Sequence, residues 1–149
     1  MKIKFNSSFF NNHSLSIVNR NLALQLSKLG SVELFPTDYP NVESKVDEST
    51  INSLLSLTNL NYKHDIEIRH SYPPRWNWPE SKSTKVVYIQ PWEFTSIPSE
   101  WQYKFDTFAD GIISPSAWNI DVYKNAGIDP DKLFVVPNGY DPFIYNDEN

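Results

Sequence analysis

Glu93 lies between Trp92 and Phe94, just past the apolar run KVVYIQ at 85–90. Burial between two aromatic rings would desolvate its carboxyl and suit it to general-base work. A structural cap or ion pair is the plainer use of the same residue. Three further clusters carry groups of the same kind. NNHSLSIVNR (11–20) holds His13, Ser14, Ser16, Asn19 and Arg20; RHSYPPRW (69–76) holds Arg69, His70, Tyr72, Arg75 and Trp76; SPSAW (114–118) holds Ser114 and Ser116. With Gln90 and Trp92 beside Glu93, these are polar side chains interleaved with aromatic ones. Aromatic faces stack on the apolar CH patches of sugar rings while neighbouring polar groups bond the hydroxyls. Trp92 suits a sugar platform, and the Arg75 guanidinium suits an anionic acceptor or a phosphate. Each has a structural alternative. Ser14 and Ser114 suit helix caps, Asn19 and Arg20 a solvated helix face, and Tyr72, Trp76 and Trp78 a loop plug on the core.

Other chemistries find little support. His13, His64 and His70 lack the spacing of a metal motif, and the chain has no cysteine for a zinc set, a disulfide or a thiol nucleophile. Four glycines leave no glycine-rich phosphate cradle, and Walker A, G-x-G-x-x-G and G-x-S-x-G are all missing. A net charge of −5 and a pI near 5.1 give no global attraction to nucleic acid or anionic membrane. An aromatic content of 15% argues for a folded chain rather than a disordered one. The apolar stretch near Met1 is too short for a signal-peptide core, and no run approaches the roughly 20 residues of a membrane span. A soluble, cytoplasmic protein is the expectation.

The elements that must position these clusters alternate. KIKF (2–5) reads as a first strand and 6–14 as a polar loop. Leu15, Val18, Leu22, Leu26 and Leu29 recur at helical spacing, with Ser14 as N-cap and Gly30 as the stop. SVELF (31–35) is a second strand, so strand, helix and strand make a βαβ unit with a parallel sheet. Residues 36–48 read as surface loop, and 48–58 as a helix turning Ile51, Leu54 and Leu55 inward. Strands follow at 65–70 and 85–90, then a helix begun by Pro98 with Trp101, Phe105 and Phe108 on one face. A strand at 111–114 leads into a helix capped by Ser114 with Pro115 at its first position, running to Gly127, and 133–136 is the last strand. About six strands and four helices predict an α/β, Rossmann-like, doubly wound and mostly parallel sheet with helices on both faces. In such sheets ligands bind at the carboxyl ends of the strands, where all the clusters above fall.

In order along the chain, SLSIVNRNLALQLSKLGSVELF, IRHSYPPRW, QPWEFTSIPSEW and DGIISPSAWNIDVYKNAGIDPDKLFVVPNGYD resemble the N-terminal half of a GT-B glycosyltransferase of the retaining family 4, or group 1. The last segment is the most specific, following D-x-I-x-x-P-S, then A-G-I, then a Pro-Asn-Gly-x-Asp turn. The resemblance implies an acceptor-side domain over 1–137 and, over 138–149, the start of a connection to a donor-binding domain. It implies transfer of a sugar from a nucleotide-sugar donor to a saccharide or related acceptor, in cell-surface polysaccharide or glycoconjugate synthesis, without metal or cofactor. Most donor contacts would belong to that second domain, so this domain by itself should have little or no activity. The residues placed near the reaction are Ser16, Asn19, Arg20, Arg69, His70, Tyr72, Arg75, Trp76, Gln90, Trp92 and Ser116 for binding, with Glu93 as the candidate catalytic group.

This chain departs from the family pattern at two points. IQPWEF stands where many members carry a histidine after the fourth strand, and the first loop lacks the Gly-Gly that approaches donor phosphates. Backbone N–H groups near the helix start are the alternative phosphate contact. A rival reading is a standalone saccharide-binding module that performs no chemistry. A flavodoxin-like or receiver domain ranks lower, because NSSFFNN offers neither clustered acids nor a good phosphate loop.

Overall fold

Alternation of side chains along the strands decides the architecture. The structure, a computed structural model, describes residues 1–40, 45–140 and 142. Six strands, β1 (Lys2–Ser7), β2 (Ser31–Pro36), β3 (Ile66–His70), β4 (Lys85–Ile89), β5 (Gly111–Ser114) and β6 (Leu133–Val135), form one sheet in the order β2-β1-β3-β4-β5-β6. Every pairing is parallel. The helices are α1 (Ser14–Leu29), α2 (Glu48–Leu55), α3 (Ser99–Phe108) and α4 (Ala117–Asn125). The expected doubly wound α/β sheet is therefore what the chain forms. Among the described residues no helix is long and apolar enough to cross a membrane. The connection expected over 138–149 lies outside the described residues at 141 and from 143 onward.

On one face the register aligns Ile3 with Val32 and Ile66, and Phe5 with Leu34 and Ile68. Ala23 of α1 and Leu54 of α2 close over these residues, with Phe9 and Phe10 completing the cluster. Each Ile, Val, Leu or Phe side chain so removed from water contributes about 1.5–3 kcal/mol before entropy is counted. On the opposite face, Val86, Tyr88 and Ile112 pack against Trp101 and Phe105 of α3, Tyr123 of α4 and Ile128. That second cluster covers β4 and β5 and, through Leu133, the start of β6. Under β1, β2 and β3 the same face carries Lys4, Glu33, Glu67 and Arg69, all buried.

A charged patch sits there because, among the described residues, no helix covers it. After α2 the chain runs along the edge of β2, where Thr58 bridges Leu34, and then passes beneath the sheet to β3. An extended loop brings unpaired amides with it. The Glu33 carboxylate receives the N–H groups of Leu60, Asn61 and Tyr62 at 2.7, 3.0 and 3.0 Å, and His64 Nε2 lies 2.9 Å away. Burial alone would raise the Glu33 pKa; these donors outweigh it and hold the carboxyl below its usual range.

Helix faces and ends differ from expectation in instructive ways. In α1 the buried residues are Ser16, Asn19 and Ala23, one position round from the expected leucine face, and Leu29 is 86% exposed. Polar groups at the strand ends draw the polar edge of the helix inward. Ser14 is the first helical residue, with His13 preceding it, and no side chain caps this helix. Gly30 is extended rather than left-handed, so its stop rests on no glycine-specific backbone. The second helix ends at Leu55, three residues early, and leaves Leu55 exposed. Ser116, not Ser114, caps α4, accepting the N–H of Asn119. Pro115 accordingly precedes the cap.

Candidate functional site

The sheet order reverses direction between β1 and β3, and the carboxyl ends of these strands and of β4 line two adjoining clefts. The larger, about 520 Å³, lies between the β1 and β2 ends and the proline loop, with Ser8, His13, Thr37, Ser71 and Arg75 on its walls. The smaller, about 340 Å³, lies between the β3 and β4 ends, with His70, Gln90, Trp92, Glu93 and Phe94 around it. Leu15, Ser71 and Tyr72 border both. Tyr72, 69% exposed, thus stands with Leu15 and Ser71 on the boundary between them.

The floor between these clefts is a buried hydrogen-bonded chain. Asn19 of α1 donates Nδ2 to Ser7 Oγ at 2.5 Å and to the Ser8 carbonyl at 3.0 Å. Its Oδ1 stands 2.6 Å from His70 Nδ1, and the Ser7 hydroxyl donates to the His70 carbonyl. Ser16 adds a bond to Ser8 Oγ at 2.8 Å. His70 is only 4% exposed, and burial lowers its pKa from 6.5 to about 4. Its Nε2 has no partner.

The β4 end is held from the other side. Tyr123 and Ser114 donate hydroxyls to the Gln90 carbonyl at 3.0 and 3.1 Å, and Asn119 Nδ2 donates to the Trp92 carbonyl. The Trp92 ring is fixed by its Nε1–H bond to the Ser96 carbonyl at 2.8 Å and by packing on Trp101, with centroids 4.7 Å apart. Tyr72 and Trp92 stand 6.4 Å apart with a 36° tilt, giving the smaller cleft an aromatic rim beside a polar floor.

The structure brings together His70, Tyr72, Gln90, Trp92 and Glu93 at one cleft and adds Arg75 at its neighbour. Ser16 and Asn19 stand behind them and orient rather than line. Four expected contacts go elsewhere. Arg69 is buried on the other face, where Nε meets Glu67 at 2.8 Å and Nη1 donates to the carbonyls of Arg75 and Asn77. Neighbouring residues of a strand point to opposite faces, so Arg69 and His70 cannot share a site. Trp76 is a core plug, 4.9 Å from Phe105 and 5.4 Å from Tyr88 between ring centroids. Ser116 is spent as the α4 cap. Arg20 donates to the carbonyls of Phe9 and Asn11 at 2.9 and 2.7 Å. Glu93 lines the cleft but is exposed, so the burial expected to tune it is not there.

The first loop also differs as a phosphate site. Asp38 accepts the N–H groups of Phe9, Phe10 and Asn11 at 2.7, 2.8 and 2.9 Å. A carboxylate from the chain itself thus answers the loop amides at 9–11, while the first-turn amides of α1, expected as the alternative phosphate contact, have no side-chain cap. Ser8, Thr37 and Ser71 were missed as lining residues. Their position one residue past a strand end was the available signal. Among the described residues no three metal-ligating side chains gather. No family model, curated protein or solved structure matches this chain.

Proposed function

We propose that this chain is the acceptor-side domain of a glycosyltransferase that moves a sugar from a nucleotide-sugar donor to a saccharide or related acceptor. The observation that carries the reading is the smaller cleft: two aromatic rings at its rim, Tyr72 and Trp92, over a floor of His70 and Gln90 at the carboxyl ends of parallel strands. The ordered motifs resembling family 4 add the direction of the chemistry. Trp92 offers a fixed ring for an acceptor sugar, Gln90 and Ser71 offer bonds to its hydroxyls, and Arg75 stands at the neighbouring cleft for an anionic group.

Saturation-transfer NMR with methyl hexopyranosides and short oligosaccharides tests the binding half of this reading. Trp92→Ala is expected to weaken binding about tenfold, near 1.4 kcal/mol. Incubating the protein with UDP- and GDP-hexoses and the saccharide that binds best tests the transfer half. No glycoside binding at any concentration reached would refute the acceptor role. One observation favours a saccharide-binding module without catalysis: with Asp38 on the loop amides, the first loop offers no vacant cradle for donor phosphates there. That reading predicts saccharide affinity unchanged by any nucleotide sugar.

A further inference from the structure

The hydrogen-bonded chain beneath the two clefts fixes the position of a proton. The Ser8 carbonyl can only accept, so the Asn19 atom 3.0 Å from it is the amide nitrogen. The same nitrogen serves Ser7 Oγ, whose own proton goes to the His70 carbonyl. Asn19 Oδ1 therefore faces His70, and an amide oxygen can only accept. The partner at 2.6 Å, His70 Nδ1, must carry the hydrogen. Burial keeps the ring neutral at ordinary pH, since its pKa is lowered to about 4. A neutral imidazole with hydrogen on Nδ1 has its lone pair on Nε2. That atom is without any partner and closed off from water in the empty protein, on a residue lining the smaller cleft, so a ligand reaches it only as the cleft wall gives slightly.

We propose that His70 Nε2 is the hydrogen-bond acceptor for a hydroxyl of a neutral, polyhydroxylated ligand in the smaller cleft, and that Asn19 is the positioning residue that holds the ring in the required tautomer. This rests on the saccharide reading of the site. A buried acceptor without a partner costs free energy in the empty protein, and a ligand hydroxyl relieves that cost. The surroundings set the ligand class. Glu93 lines the same cleft and no Lys or Arg does, so an anion is disfavoured while a hydroxyl donor is suited. Arg75 lines the larger cleft and not this one. An ether in place of the hydroxyl would bring no proton to Nε2 and leave it unpaired.

Long-range proton–nitrogen NMR on protein labelled with ¹⁵N-histidine reads both ring nitrogens directly. In the free protein at neutral pH, Nδ1 is expected to be protonated and Nε2 to show the signal of a bare pyridine-type nitrogen. Adding the methyl hexopyranoside that binds should shift the Nε2 signal toward the hydrogen-bonded range and leave Nδ1 in place. Asn19→Leu should release the tautomer lock, with Nε2–H signal appearing and affinity falling about tenfold. His70→Gln, whose amide oxygen reaches close to the Nε2 position, should keep affinity within a few-fold, whereas His70→Leu should lose about tenfold. Should Asn19→Leu fail to fold, the His70 pair decides. A protonated Nε2 in the free protein, or a glycoside that binds while Nε2 stays unmoved, overturns this role and leaves the saccharide reading standing. Failure of every glycoside to bind overturns both.

Discussion

Arg69 and His70 are adjacent, both buried, and each holds one of the two buried side-chain atoms found without a partner among the described residues: Arg69 Nη2 on one face of the sheet and His70 Nε2 on the other. Their surroundings differ. Arg69 is gripped through Nε by Glu67 and through Nη1 by two loop carbonyls and the Tyr88 hydroxyl at 3.0 Å, and the two N–H groups of Nη2 are left over. His70 has one side-chain bond and a cleft beside it. An orphaned atom on a side chain already held through its other two nitrogens is a packing remainder. The same orphan on a residue that lines a cleft is the acceptor proposed for a ligand hydroxyl. Sequence adjacency hides the contrast because a strand sends successive side chains to opposite faces.

The largest effect expected is on the Arg69 side. Arg69→Ala should cost about 4 kcal/mol in urea unfolding, because it leaves Glu67 buried with only Lys4 at 3.9 Å for a partner. Replacing the pair together, Glu67→Leu with Arg69→Met, should recover most of that loss. If the double variant is as unstable as the single one, the network does more than satisfy itself, and the contrast with His70 weakens.

Acid titration probes the other side. Between pH 6.5 and about 4 the unfolded chain takes up a proton on His70 that the native ring refuses. Stability therefore falls as pH falls through that window, by about 3 kcal/mol in total from this residue. His70→Gln should remove that part of the slope; an unchanged slope would place the acid sensitivity elsewhere. The smallest effect concerns a residue on neither side. Ser116→Ala should cost about 1 kcal/mol of stability through the lost α4 cap and leave glycoside affinity as it was. A binding defect in Ser116→Ala would return that residue to the site.

Much of the fold was legible. Strand runs such as KVVYIQ and the spacing of helices between them sufficed for a doubly wound sheet, because apolar runs bounded by turn residues admit few other arrangements. The site was legible only as an edge. Position after a strand end found His70, Tyr72, Gln90 and Trp92, yet the same rule promoted Arg69, Trp76 and Ser116, whose side chains go to the far face, the core and a helix cap. Leucine spacing placed the buried stripe of α1 one residue off, since hydrophobicity cannot anticipate that Ser16 and Asn19 turn inward to meet Ser8, Ser7 and His70. Asp38 was invisible as a keystone because its three partners are backbone amides at residues 9–11, distant in sequence and indifferent to side-chain identity.

Arg20 and Asp38 hold that same loop from its two kinds of backbone group, carbonyls on one side and amides on the other. The larger cleft consequently has two unlike jaws. The jaw built on residues 8–13 is set before anything arrives, and a ligand finds it in its working shape at no ordering cost. The jaw carrying Tyr72 is exposed and stands free of such a double grip. On the proposed reading, whatever adjustment a ligand demands would fall to the Tyr72 side, while the opposite wall serves as the fixed gauge against which the ligand is measured.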